Sequence, residues 1–144
     1  MLAGSLSGQQ SGKLTDKFFP DVEKEFKTPA FNSQWGFTTY SELIAFLEEL
    51  VADHPHAKLE YIGETQRGRN NPLVILAKPG NQEKIRVWFQ GGIHGNEPAS
   101  SEGMLTVLHE LLTNKNNDYL LDRLEIFAAR FCGLPRIQPV PGGI

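Results

Sequence analysis

Ile85-Arg86-Val87-Trp88-Phe89-Gln90-Gly91-Gly92-Ile93-His94-Gly95-Asn96-Glu97-Pro98 carries the reading of this chain. The first six residues are rich in β-formers and run into two glycines, which predicts a buried strand over Ile85–Gln90. Gly91-Gly92 breaks the strand. Pro98 is tolerated in the first turn of a helix, where a missing amide hydrogen costs little. Leu105, Leu108, Leu111 and Leu112 then recur at helical spacing, so a helix is expected from about Glu97 to Thr113. His94 would sit in the turn and Glu97 in the first helical turn. Open α/β sheets place their ligands at the carboxyl ends of strands. Three residues across such a turn can bring an imidazole and a carboxylate to one point, with Gly92 and Gly95 permitting the tight path.

Working outward from that junction, the chain reads as helix, strand, strand, strand, helix, strand. Thr39 and Glu42 have capping-box spacing ahead of Leu43, Ile44, Leu47, Leu50 and Val51, which predicts a helix over about Tyr40 to Asp53. Pro55 forbids its continuation. Lys58–Ile62 and Leu73–Ala77 read as strands, joined by a polar turn with two glycines. Asp118–Arg123 reads as a short helical turn and Leu124–Ala128 as a fourth strand. This order implies an α/β fold with a mixed sheet. Residues 1–34 are rich in Gly, Ser, Gln and Lys and read as a partly disordered extension, with Phe31 and Trp35 anchoring its end.

The chain has 144 residues, enough for one ordinary domain, and 40% hydrophobic against 22% charged residues marks it as globular. A net charge of −3 with scattered Lys and Arg gives no basis for nucleic acid or an anionic membrane surface as a partner. Cys132 is the single cysteine, so neither an internal disulfide nor a cysteine-rich zinc site can form. Met1–Lys13 has no apolar core of the kind a signal peptide needs, and no segment is apolar enough to span a bilayer.

Taken alone, His-x-x-Glu is better read as a loop histidine followed by a glutamate favoured by a helix dipole, because short patterns recur by chance. The surrounding sequence alters that balance. Tyr61-Ile62-Gly63-Glu64-Thr65-Gln66-Arg67-Gly68-Arg69 is similar to the Gly-x-Ser/Thr-x-x-Gly-Arg turn of metallocarboxypeptidases. Two strands, Gly-Gly-Ile-His-Gly-Asn-Glu and a leucine-rich helix follow in that family's order. Over about Phe37 to Ile126 the chain therefore resembles the amino-terminal part of a zinc carboxypeptidase.

The resemblance implies a partial three-layer α/β/α domain over residues 35–126, with His94 and Glu97 as the first two zinc ligands and Arg69 as a structural turn arginine. Catalytic zinc sites of this kind use two His and one Glu plus a water, the set for which carboxypeptidase A is a standard example. It also implies hydrolysis of carboxyl-terminal peptide bonds, with peptide or protein carboxyl termini as substrates. Members of the family are often secreted; the chain as written carries no leader. Asn96 stands where pancreatic-type members have an arginine. His-Gly-Asn-Glu is similar both to regulatory-type members and to acyl-amino-acid hydrolases.

In the family, a later zinc histidine, an Asn-Arg pair, a tyrosine and a general-base glutamate lie far downstream, and none has a counterpart here. His109-Glu110 does not continue to a second histidine, because Thr113 occupies that place. His109 therefore reads as a helix packing residue, and His54 and His56 as residues of a helix end. Leu134-Pro135-Arg136-Ile137-Gln138-Pro139-Val140-Pro141-Gly142-Gly143 is a partial match to the family's next turn, and Phe127–Gly133 looks inserted. Residues 127–144 are thus expected to be an atypical tail, and the chain an inactive, truncated version of a longer parent. A non-catalytic remnant or binding module and a zinc-dependent acyl-amino-acid hydrolase are the rival expectations.

Overall fold

The computed structural model describes residues 28–130 apart from Trp35, Asn81 and Asn96, so the expectations for the amino-terminal extension, Trp35 and the end of the tail lie outside the described residues. Helix α1 (Tyr40–Ala52) opens with the expected capping box: Thr39 Oγ1 accepts from the Glu42 amide at 3.4 Å, and the Glu42 carboxylate accepts from the Thr39 amide at 2.7 Å. Its apolar stripe buries Leu43, Leu47 and Leu50.

Strands β1 (Ala57–Glu64) and β2 (Asn70–Leu76) form an antiparallel hairpin. The Thr65–Arg69 turn explains the sequence motif in physical terms. The Thr65 amide donates to the Arg69 carbonyl at 2.8 Å, the Arg69 amide donates to Thr65 Oγ1 at 3.1 Å, and Gly68 takes a φ of 72°. The Arg69 guanidinium then lies over the Tyr40 ring, 5.5 Å from its centroid, and ties the hairpin to α1. Pro72 lacks an amide hydrogen, yet it sits in an interior strand because β4 begins pairing with β2 only at Leu73.

Strand β3 (Ile85–Gly91), helix α2 (Pro98–Thr113), a 3-10 segment (Lys115–Asp122) and strand β4 (Leu124–Arg130) complete the order. The sheet is mixed and four-stranded, in the order β1-β2-β4-β3, with β4 antiparallel to β2 and parallel to β3. Register places Val74 beside Ala128 and Leu76 beside Ile126. These four meet Leu43 and Leu47 of α1 and Leu105 and Leu108 of α2 in one core cluster. Both helices thus cover one face of the sheet. The second helical layer of a three-layer sandwich is not among the described residues.

Several expectations change. Phe127–Arg130 do not begin an insertion. They finish β4, with Phe127 opposite both Ile75 and Trp88. Phe31 is no buried anchor, being 66% exposed. The segment ahead of α1 is instead held by Thr38, whose amide and Oγ1 donate to the Glu102 carboxylate of α2 at 2.9 and 2.7 Å.

Strand β3, expected to be buried, is an edge strand with only Gly91 buried: Ile85 on one face and Trp88 on the other are 68% and 51% exposed. Parallel strands are ordinarily covered on both faces, and among the described residues β3 has a neighbour on one side only.

Candidate metal centre at the β3–α2 junction

The parallel pair β3 and β4 ends at Gly91, opposite Arg130. Both chains emerge there at their carboxyl ends, the position at which α/β sheets expose loop side chains. Gly91 is buried against the first turn of α2, where a Cβ would stand 2.9 Å from the Ser100 carbonyl oxygen. Gly92 follows with a φ of 74°, the left-handed region that only glycine enters readily. Close approach at one glycine and backbone curvature at the next let the chain leave the strand and double back over the helix.

A short chain of hydrogen bonds closes the loop. The Gly92 amide donates to Ser100 Oγ at 3.1 Å, and that hydroxyl donates to the Glu97 carbonyl at 3.3 Å. The Glu97 amide in turn donates to the His94 carbonyl at 3.1 Å. His94 and Glu97 are therefore the two ends of one hydrogen-bonded turn. Both side chains are exposed on it.

Glu97 is the residue immediately before α2 rather than part of its first turn. Its side chain makes no capping hydrogen bond, so the carboxylate is not consumed by the helix amides. Arg130 reaches α2 from the neighbouring strand, its Nε donating to Ser101 Oγ at 3.1 Å.

An imidazole nitrogen and a carboxylate oxygen are donors that zinc accepts readily. Among the described residues, however, no three His, Cys, Asp or Glu side chains are close enough to share a metal. What the described residues do place on one turn is a single imidazole and a single carboxylate, those of His94 and Glu97. The other histidines do not substitute. His109 stacks on Phe46 with ring centroids 6.3 Å apart, a packing role, and lines a cleft of about 340 Å³ with Glu49, Asp53 and His54.

The sequence motif does not single out Ser100. A signal was present: a small hydroxyl residue three positions into a helix whose entry carries two glycines. Its bond to Glu97, three residues back, is local, whereas the bond from the Gly92 amide depends on how the helix packs on the strand end, which local pattern does not encode.

Residues 43–129 match the family model described as zinc carboxypeptidase. Carboxypeptidase 2 of Trichophyton rubrum is 35% identical over 141 residues, covering 84% of this chain but 25% of its own length. Carboxypeptidase B of Astacus astacus is 28% identical over 106 residues, with 72% and 33% covered. Among solved structures, carboxypeptidase A from Helicoverpa armigera superposes with a TM-score of 0.60 at 19% identity, covering 81% of this chain and 29% of that one. The chain thus spans about a quarter to a third of these relatives. The match to the family model takes in both strands of the hairpin, the β3–α2 junction and almost all of β4, and by that match the chain belongs to the zinc carboxypeptidase family.

Proposed function

We propose that His94 and Glu97 are the first two ligands of a catalytic zinc, and that the whole protein removes carboxyl-terminal amino acids from peptides or proteins. The supporting observation is the closed turn at the end of β3, which carries an imidazole and an uncommitted carboxylate together. Membership of the zinc carboxypeptidase family supports the identity of the metal. His94 would ligate as a neutral imidazole. Glu97 brings a negative charge that offsets part of the charge of the cation. When bound, zinc supplies a Lewis acid for the scissile carbonyl and a water whose pKa falls to about 7.

This chain by itself is inactive in our reading. Its described residues hold two donors, and a catalytic zinc site of this type takes three from the protein.

Zinc titration of the purified chain tests the reading. One weakly held zinc per chain is expected, lost in His94→Ala and in Glu97→Ala, with no hydrolysis of peptides that have a free carboxyl terminus. Zinc binding that survives both substitutions would contradict the ligand assignment. Zinc-dependent hydrolysis by the chain alone would contradict its inactivity.

A further inference from the structure

We infer that Ser100 is a positioning residue for the metal turn: its hydroxyl fixes the path from Gly92 to Glu97 and so sets where His94 and Glu97 present their side chains. The inference rests on the zinc reading of those two residues, but its structural half stands without metal.

The hydroxyl does two things at once. It accepts from the Gly92 amide at 3.1 Å and donates to the Glu97 carbonyl at 3.3 Å. Gly92 is buried, so its amide has little water to turn to when the hydroxyl is removed. The turn bond from the Glu97 amide to the His94 carbonyl then links the far side of the same loop. Within this loop, the path between the strand and the helix is pinned at both ends through one oxygen atom.

The neighbourhood keeps Ser100 itself in place. Gly91 lies against its backbone, closely enough that a Cβ there would come within 2.9 Å of the Ser100 carbonyl oxygen. The next residue, Ser101, is 5% exposed and accepts from Arg130 at the end of β4. The first turn of α2 is thereby referenced to both parallel strands, to β3 through Ser100 and to β4 through Ser101. A turn so referenced reaches the metal with its ligands oriented in advance. Groups behind a metal ligand act in this way, and their removal weakens binding without removing a donor.

Ser100→Ala and Ser100→Thr separate this role from general stability. In the zinc-free chain, hydrogen exchange at the Gly92 amide should be roughly five-fold faster in Ser100→Ala, the loss of one ordinary hydrogen bond. Ser100→Thr should restore the slow exchange, and amides in the core strand β4 should not change in either variant. With zinc alone as the probe, Ser100→Ala should bind about ten-fold more weakly, the low end for groups behind a ligand, and Ser100→Thr should bind as the unmodified chain does. Unchanged Gly92 exchange in Ser100→Ala overturns the inference, whatever the zinc result. Altered exchange with unchanged zinc affinity also overturns it, because the loop would then not govern the ligands. Should the unmodified chain bind no zinc at all, the ligand reading fails on its own, and the exchange data still decide whether Ser100 holds the turn.

Discussion

Gly91 and Ser100 back onto each other so closely that a single added Cβ at Gly91 would stand 2.9 Å from the Ser100 carbonyl oxygen. Backbone oxygen cannot swing aside as a flexible side chain can. Gly91→Ala should therefore push the first turn of α2 away from β3 and cost about 1–3 kcal/mol, the usual range for overpacking. Denaturant unfolding of the variant measures this. An unchanged midpoint would mean that the junction is looser than described.

The tie between Thr38 and Glu102 spans 64 positions and brings the entry of α1 onto α2. Thr38 is 5% exposed, so its amide loses both its partner and ready access to water when the carboxylate is removed. Glu102→Ala should lower stability by about 1–3 kcal/mol, the range for leaving a buried donor unsatisfied. Thr38→Val removes only the hydroxyl partner and should cost less. Equal losses from both variants would contradict the division of work between amide and hydroxyl.

Hydrogen bonds from the Thr39 hydroxyl, and then from the Thr39 amide, lower the pKa of Glu42 below its ordinary 4.5. A carboxyl whose pKa is lower in the folded state stabilises the fold above its unfolded value. That contribution is lost as pH falls from about 4.5 through the lower folded value. The group is largely solvent-facing, so the effect is small. Thermal melting of the chain and of Glu42→Gln across pH 6 to 3 should show two curves that converge on the acid side. Parallel curves would contradict the assignment.

How far such features can be read in advance depends on the distance over which they are determined. The Thr39–Glu42 box, the Thr65–Arg69 turn and the strand-to-helix switch at Gly91-Gly92 are local, and spacing alone indicates them. The placement of β4 between β2 and β3 is not local. Leu124–Arg130 could join any open edge, and its position follows from packing of the whole sheet. Strand β2 begins at Asn70, earlier than its apolar run, because pairing with β1 recruits Asn70 and Pro72. Similarly, β4 runs on to Arg130 because β3 pairs with it that far. At the site, His94 and Glu97 were visible as a motif, whereas Ser100 needed the fold to bring it under Gly92.

The free side of β3 makes a further prediction. It has high β-propensity, one charged residue among seven and no proline, so nothing in it blocks edge-to-edge pairing. Trp88→Lys, at a side chain 51% exposed, should reduce self-association of the isolated chain while leaving its melting temperature within a few degrees. Light scattering at increasing concentration checks this. Association undiminished by the substitution would locate the sticky surface elsewhere.

Nitrogen-15 spectra of the four histidines during zinc addition bear most directly on the central claim. The account predicts that the His94 ring nitrogens shift, that the shift disappears in Glu97→Gln, and that His54, His56 and His109 stay where they were. A shift at any of those three with His94 unmoved would contradict it.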